Sequence, residues 1–379
     1  MQVKIKDQPF YLQSTAVLFG LILLVYVLSQ LADILVPLAF AAFLSVLLNP
    51  LCNLLQRRKV PRVASIIIAM LVMILLVVVV FYFLSTQIIQ FGDSLPMLKQ
   101  KFGEISKNLK TWIQGTFGIA TAKQDQMVKE ALNNSQSMVG KTLGGLLGTL
   151  SIVFLLPVYM FLMLLYKTLI LNFLYEVFSE ENSKKVSDVL SETKSAIQSY
   201  IVGLLIEMLI VAAMNSAALV LLGVKYGILI GCIGAILNLI PYLGGIIAIA
   251  LPVLMATVTK DGYSTQLGVI IAYIVIQFID NNILVPRIVS SKVQINALMS
   301  IIVVLLGNQL WGVSGMFLSI PFVAVLKIIF DRIDDLKPWG KLLGDNIPTR
   351  HMGEMWRNRN KRKAVLPKQE QEKINPATN

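Results

Sequence analysis

Apolar runs with at most one charged residue each recur along the chain at 12–29, 32–54, 63–84 and 143–166, and again at 200–222 and 267–284, the first three separated by short turns. A helix needs roughly 20 apolar residues to cross the hydrocarbon core of a bilayer, so each run predicts a transmembrane helix. Two further apolar stretches, Tyr226 to Ala256 and Ala297 to Phe330, carry glycines and a proline where a spanning helix would run unbroken. The first reads G-I-L-I-G-C-I-G-A-I-L-N-L-I-P-Y-L-G-G from Gly227 to Gly245, and the second holds Gly307, Gly312, Gly315 and Pro321. Irregular backbone at membrane depth survives only where it is buried in protein or lines a cavity, since lipid cannot satisfy freed N–H and C=O groups. The expected fold is therefore an all-α polytopic membrane protein of about six full transmembrane helices plus two re-entrant helical hairpins. Eight plain transmembrane helices are the alternative, with Pro241 as a kink and Gly227 and Gly231 as a small-xxx-small packing stripe.

The polar interruptions divide the chain further. Residues 1–84 form the first three helices. The stretch 85–142 is polar but helical in pattern, with Leu98, Phe102, Ile105, Leu109, Trp112 and Ile113 on one face and lysines on the other. Such a face needs a partner: a self-packed hairpin, the membrane interface, or a second copy of the chain in a homo-oligomer. Residues 143–199 supply the fourth helix and a charged connector, in which Lys184 and Lys185 accompany Glu180 and Glu181 as a solvated face. The part from 200 to 330 reads as the transport core, and 331–379 as a basic tail.

Loop charge gives the orientation. Arg57, Arg58, Lys59 and Arg62 crowd the turn between the second and third helices, and Arg357, Arg359, Lys361, Arg362 and Lys363 mark the tail. The positive-inside rule places both, and with them both termini, in the cytoplasm, which leaves the amphipathic stretch 85–142 as an extracytoplasmic insertion. If the two broken segments spanned fully, the loop at 285–296 with Arg287 and Lys292 would lie outside, against that rule. If both are re-entrant, that loop moves inside and the neutral loop at 257–266 moves outside. Two units of helix plus hairpin then have opposite orientation, which is the inverted-repeat logic of secondary transporters.

Composition agrees with this picture: 56% of the 379 residues are hydrophobic and 14% charged, which marks a polytopic membrane protein with the lipid bilayer as its first partner. The net charge of +12 sits at helix ends and in the tail, where it reports orientation and not nucleic-acid binding. The first apolar run follows Lys4 and Lys6 as a signal peptide would, yet apolar sequence continues to Leu51, so it is read as retained helices. Cys52 and Cys232 lie far apart in apolar surroundings and form neither a disulfide framework nor a metal site. The single histidine, His351, is in the tail, so no metal centre, cofactor or His-based catalysis is expected. Gly140, Lys141 and Thr142 lack the first glycine of a phosphate loop, Ser135 standing in its place. Transport must then draw on a gradient.

Polar residues inside the apolar runs are few. Glu207, in G-L-L-I-E-M-L-I-V, costs on the order of 3 kcal/mol to place in a membrane, so it titrates, coordinates something or is held by a structural partner. Asn215 follows two turns later on the same helix. Asn238, Pro241, Tyr242, Gly244 and Gly245 mark the first break. Asp280, Asn281 and Asn282, followed by Pro286, form a carboxyl-amide cluster whose oxygens suit a hard cation, a proton relay or a hydroxylated solute, or simply cap a helix end. Gly312, Gly315 and Pro321 mark the second break. Asp33 reads as a helix cap.

The segments L-N-L-I-P-Y-L-G-G at 237–245, D-N-N-I-L-V-P-R-I at 280–288 and G-N-Q-L-W-G-V-S-G-M-F-L-S-I-P-F-V-A-V-L-K at 307–327 resemble, in that order, the signature of the autoinducer-2 exporter family. K-P-W-G-K-L-L-G-D at 337–345 is similar to the end of that family's domain, and the resemblance covers about residues 10–345. It implies a multi-spanning inner-membrane transporter, in a family whose members are associated with export of autoinducer-2 and with sodium/proton exchange. The candidate functions are a gradient-driven permease for a small polar solute, a sodium or lithium/proton antiporter, and a non-transporting scaffold or pore. Where many members have Leu-His-Pro before the last apolar segment, this chain has Ile295, Asn296 and Ala297, so no histidine-based proton step carries over.

Overall fold

The computed structural model describes residues 9–92, 95–117, 150–178, 183–239, 244–260, 262–289 and 295–345. These residues are helical nearly throughout. The helices are α1 (Phe10–Gln30), α2 (Ala32–Arg57), α3 (Arg62–Gly92), α4 (Leu95–Phe117), α5 (Leu150–Leu165), α6 (Lys167–Val177), α7 (Ser183–Leu221), α8 (Gly227–Asn238), α9 (Gly244–Thr259), α10 (Ser264–Ile279), α11 (Ala297–Arg332) and α12 (Lys337–Leu343). A ten-residue π-helical stretch, Asp280–Val289, continues α10. By length and composition alone, five of the helical stretches could cross a membrane, one of them α11, which reverses midway, and six if α5 and α6, bent by 63° at Tyr166, count as one.

The connector expected at 167–198 is divided otherwise: α6 is short, and everything from Ser183 to Leu221 is one helix of 39 residues. No proline interrupts that stretch, and its first glycine is Gly203, so the charged and apolar halves propagate as one rod. Helix α3 likewise runs on to Gly92, and α4 rests against α9. The remainder of the expected insertion, 118–142, and the tail beyond 345 lie outside the described residues.

Helix α7 is the axis of the molecule. Its two ends are distinguishable by their neighbours. At its N-terminal end, Gln198 donates to the Val46 carbonyl at 2.8 Å, and Arg332 pairs with Asp188 at 3.2 Å and with Glu192. This is the basic end of the fold, where the α2–α3 turn and the start of α6 also lie: Arg62 reaches the Leu164 carbonyl at 3.2 Å, and Lys167 reaches Asn49 at 3.0 Å. At its C-terminal end the turn at Gly223 approaches Lys260, and Gly268 lies against Leu222.

The two broken segments are both helical hairpins, and they are rooted at opposite ends of α7. In the first, α8 and α9 pack on each other with bases at Gly227 and Thr259, beside the C-terminal end of α7. At 12 and 16 residues these arms are about 18 and 24 Å long, short of the ~30 Å hydrocarbon core. Glycines set the approach of α8 to α7: a Cβ on Gly231 would fall 2.5 Å from Ser216 Oγ and 2.6 Å from its amide nitrogen, and one on Gly227 2.9 Å from Leu219 Cβ.

In the second, α11 is a single stretch along the sequence yet reverses at Trp311 (φ −135°, ψ 21°) and Gly312 (φ 60°, ψ −142°). A Cβ on Gly307 would overlap the Gly315 carbonyl, whereas residues eight apart in a straight helix stand about 12 Å from each other. The chain has therefore folded back, with the positive φ met by a residue that has no Cβ to clash. Its base is closed by Asn296, whose side chain caps Met299 N at 3.0 Å and donates to the carbonyls of Leu342 (2.7 Å), Leu343 and Gly344 in and after α12. Its tip is held by Trp311 Nε1 donating to the Leu28 carbonyl of α1 at 3.0 Å. The returning arm packs between α2 and α7, with Phe40 stacked on Phe317 and Phe43 against Phe322.

Candidate functional site

Helices α7 and α8 run antiparallel, so Glu207 comes level with Asn238 at the inner end of the first hairpin, and Asn215 level with Gly234. Helix α10, also antiparallel to α7, brings Asp280 to the same point. Gly203, one turn before Glu207, permits this: a Cβ there would fall 2.6 Å from the Ile288 carbonyl oxygen and 3.1 Å from Val289 Cα. The π-helical stretch thus lies directly on α7, and wide turns of this kind often occur at functional sites.

The resulting site is a buried carboxyl pair. Glu207 is 6% exposed and Asp280 2%, and their carboxyl groups lie within hydrogen-bonding reach of each other. Asn238 Nδ2 donates to Asp280 Oδ2 at 2.8 Å, and Gln277 Nε2 approaches the same oxygen at 3.5 Å. A hydrogen bond between the two would need a proton, because two carboxylates contain only acceptors. Beyond this pair the polar stripe continues: Asn215 Nδ2 and Tyr273 Oη stand 3.4 and 3.6 Å from where a Gly234 Cβ would be. Among the described residues, Glu207 Oε2, Asp280 Oδ1, Asn215 Oδ1 and Tyr273 Oη are buried without a hydrogen-bond partner. A buried polar atom without a partner costs about 1–3 kcal/mol, and a proton held between the two acids would relieve that cost at the carboxyl pair.

The other candidate residues fall in three places. Asn281 and Asn282 are exposed and bond within their own helix, Asn281 Oδ1 accepting from Gln277 at 3.4 Å and Asn282 Nδ2 donating to the Phe278 carbonyl at 2.8 Å. They do not reach Glu207. Pro286 is exposed in the π-helical stretch. Gly244 and Gly245 open α9, while Pro241 and Tyr242 lie outside the described residues. Gly312 is the fold-back of the second hairpin, Gly315 packs on Gly307, and Pro321 is buried further along the returning arm. Sequence reasoning did not single out Gly203, Tyr273 or Gln277. Only Gly203 carried a signal, being a glycine inside a helix one turn from a buried acid.

Among the described residues, no three His, Cys, Asp or Glu side chains converge in a way that could hold a metal ion. The donors at Glu207 and Asp280 are all oxygens. That set is suited to a proton or a hard monovalent cation held briefly.

The model of the AI-2E family transporter matches residues 16–335. The chain belongs to the AI-2E transporter family. The AI-2 transport protein TqsA of Escherichia coli (strain K12) is 25% identical over 316 residues, covering 83% of this chain and 90% of its own length. YrrI of Bacillus subtilis (strain 168) is 24% identical over 78% of this chain and 85% of its own. YhhT of E. coli K12 is 23% identical over 84% and 90%. This AI-2E transporter is thus a multi-pass membrane transport protein, and the three sequence motifs that carry the family resemblance fall at the first hairpin's inner end, at the Asp280 stretch and at the second hairpin.

Proposed function

We propose that the chain is a gradient-driven permease of the inner membrane, in which the Glu207–Asp280 pair binds the coupling proton or cation and the two hairpins gate a small polar solute. The observation that carries this reading is the meeting of two buried carboxyls where α7, α10 and the first hairpin converge, in a fold whose hairpins enter from opposite ends. Broken helices at the centre of oppositely oriented units are the recurring site of secondary transport. The name of TqsA makes AI-2 one cargo to test. Exchange of sodium or lithium for protons is the second reading, favoured by the same carboxyl pair. The basic end of α7 faces the cytoplasm in either case.

The purified chain in liposomes, under an imposed pH or sodium gradient, should drive uptake or efflux of AI-2 or of the cation. Flux that is equal with and without any gradient would identify a passive pore instead. For the orientation, Ser291→Cys should be labelled from the cytoplasm and the exposed Ser264→Cys from outside. The reverse pattern would mean that the broken segments cross the membrane.

A further inference from the structure

A second polar site lies at the basic end, away from the carboxyl pair. The 63° bend at Tyr166 turns α6 aside from α5 and opens a cavity of about 150 Å³, lined by Asn49, Asn53, Gln56, Arg62, Lys167 and Thr168. Arg62 donates there to the Leu164 carbonyl and Thr168, and Lys167 to Asn49. Both keep donors to spare, since an ammonium has three N–H groups and a guanidinium five. Among the described residues no carboxylate pairs with either. A neighbouring cavity of about 420 Å³ shares Asn53 and adds Arg57, Arg58 and Lys194. Five cations thus surround two adjoining cavities whose described lining holds no carboxylate.

The wall beside them is apolar. Leu169, Phe173 and Val177 of α6 are 65%, 60% and 57% exposed, which is the character of a helix lying in the membrane interface with its apolar face toward acyl chains. Cations at headgroup depth beside an apolar interfacial helix fit a molecule that is anionic at one end and hydrocarbon at the other. A free cytoplasmic anion would use the cations and leave that face without a role. We infer that the elbow between α5 and α6 binds the phosphate of an anionic phospholipid of the cytoplasmic leaflet, through charge-assisted bonds from Arg62 and Lys167, with Arg57, Arg58 and Lys194 supplying the surrounding field. The site takes its leaflet from the orientation proposed above, but its binding chemistry is independent of transport.

The full chain in detergent, titrated with phosphatidylglycerol and followed by native mass spectrometry and thermal unfolding, tests this. Phosphatidylglycerol should stay bound and raise the melting temperature, while phosphatidylcholine, which has the same phosphate but no net charge, should bind at least about tenfold more weakly. Arg62→Gln with Lys167→Gln should weaken phosphatidylglycerol binding by about tenfold. Lys225→Gln, at the opposite end, should leave it unchanged. Should the double variant fail to fold, the exposed Lys194→Gln serves, with an expected loss of about threefold. Equal binding of the two lipids, or no loss in a folded variant, overturns the proposal. Stabilisation by inorganic phosphate alone to the same extent assigns the site to a free anion and overturns it as well.

Discussion

Glu207→Gln should leave solute or cation binding intact while removing the pH dependence of transport, and Asp280→Asn should raise the apparent KM by about tenfold or more. The difference follows from how the two acids are held. Asn238 fixes Asp280 Oδ2 at 2.8 Å, and an Asn side chain can still accept that bond, so Asp280→Asn keeps the local geometry and loses only the charge that a cation or solute hydroxyl would meet. Each acid has one oxygen without a partner, but Asp280 is anchored by the amides of Asn238 and Gln277 whereas Glu207 is not, so in this reading Glu207 is the acid freer to exchange a proton. Gln cannot carry that proton. Because the two act as one unit, the double variant should be no worse than the more damaged single variant. Flux in proteoliposomes across a pH series measures this. A wild-type pH profile in Glu207→Gln would make Glu207 structural and end the case for coupling through the pair.

Gly203→Val should abolish transport and lower the melting temperature, although Gly203 touches no solute. The added side chain would meet the Ile288 carbonyl and Val289 Cα, which are backbone and cannot rotate away. Overpacking of this kind typically costs about 1–3 kcal/mol, and here it also pushes the stretch bearing Asp280 off Glu207. Gly203→Ala should show the same effects at smaller size. Normal flux in a folded Gly203→Val protein would show that the close approach of α7 and the π-helical stretch does not set the carboxyl pair.

The helices were legible because lipid imposes a length and an apolar composition that few other structures share, and the breaks because Gly307, Gly312 and Gly315 gather in one apolar run, although such glycines also suit close helix packing. The charge of two loops favoured hairpins entering from opposite sides, and the pairing of Arg332 with Asp188 and Glu192 and the contact of Gly223 with Lys260 put their roots at opposite ends of α7. The site was only half legible. Glu207, Asn238 and Asp280 stood out as polar groups in apolar sequence, but the bond from Asn238 to Asp280 joins residues 42 apart, and nothing local in one sequence reports it. Asp280 was grouped with Asn281 and Asn282 because they are adjacent, whereas on a helix adjacent residues point about 100° apart. Its contacts are instead Gln277, one turn back, and Asn238 from another helix. Tyr273 in an apolar run looks like packing, and only the third dimension sets its hydroxyl beside Asn215.

The two hairpins are moored by different bonds. The second is tied at its tip by Trp311 to a carbonyl of α1, and at its base by Asn296 to three carbonyls around α12 and by Arg332 to Asp188 and Glu192 of α7. None of those ties involves Glu207 or Asp280. The first is tied through Asn238 to a carboxyl oxygen, and a hydrogen bond to a charged acceptor is about twice as strong as one to a neutral acceptor. In the permease proposed above, a proton or cation arriving at Asp280 would loosen the mooring of the first hairpin without touching the bonds that hold the second, so the two hairpins would respond unequally to the same ion.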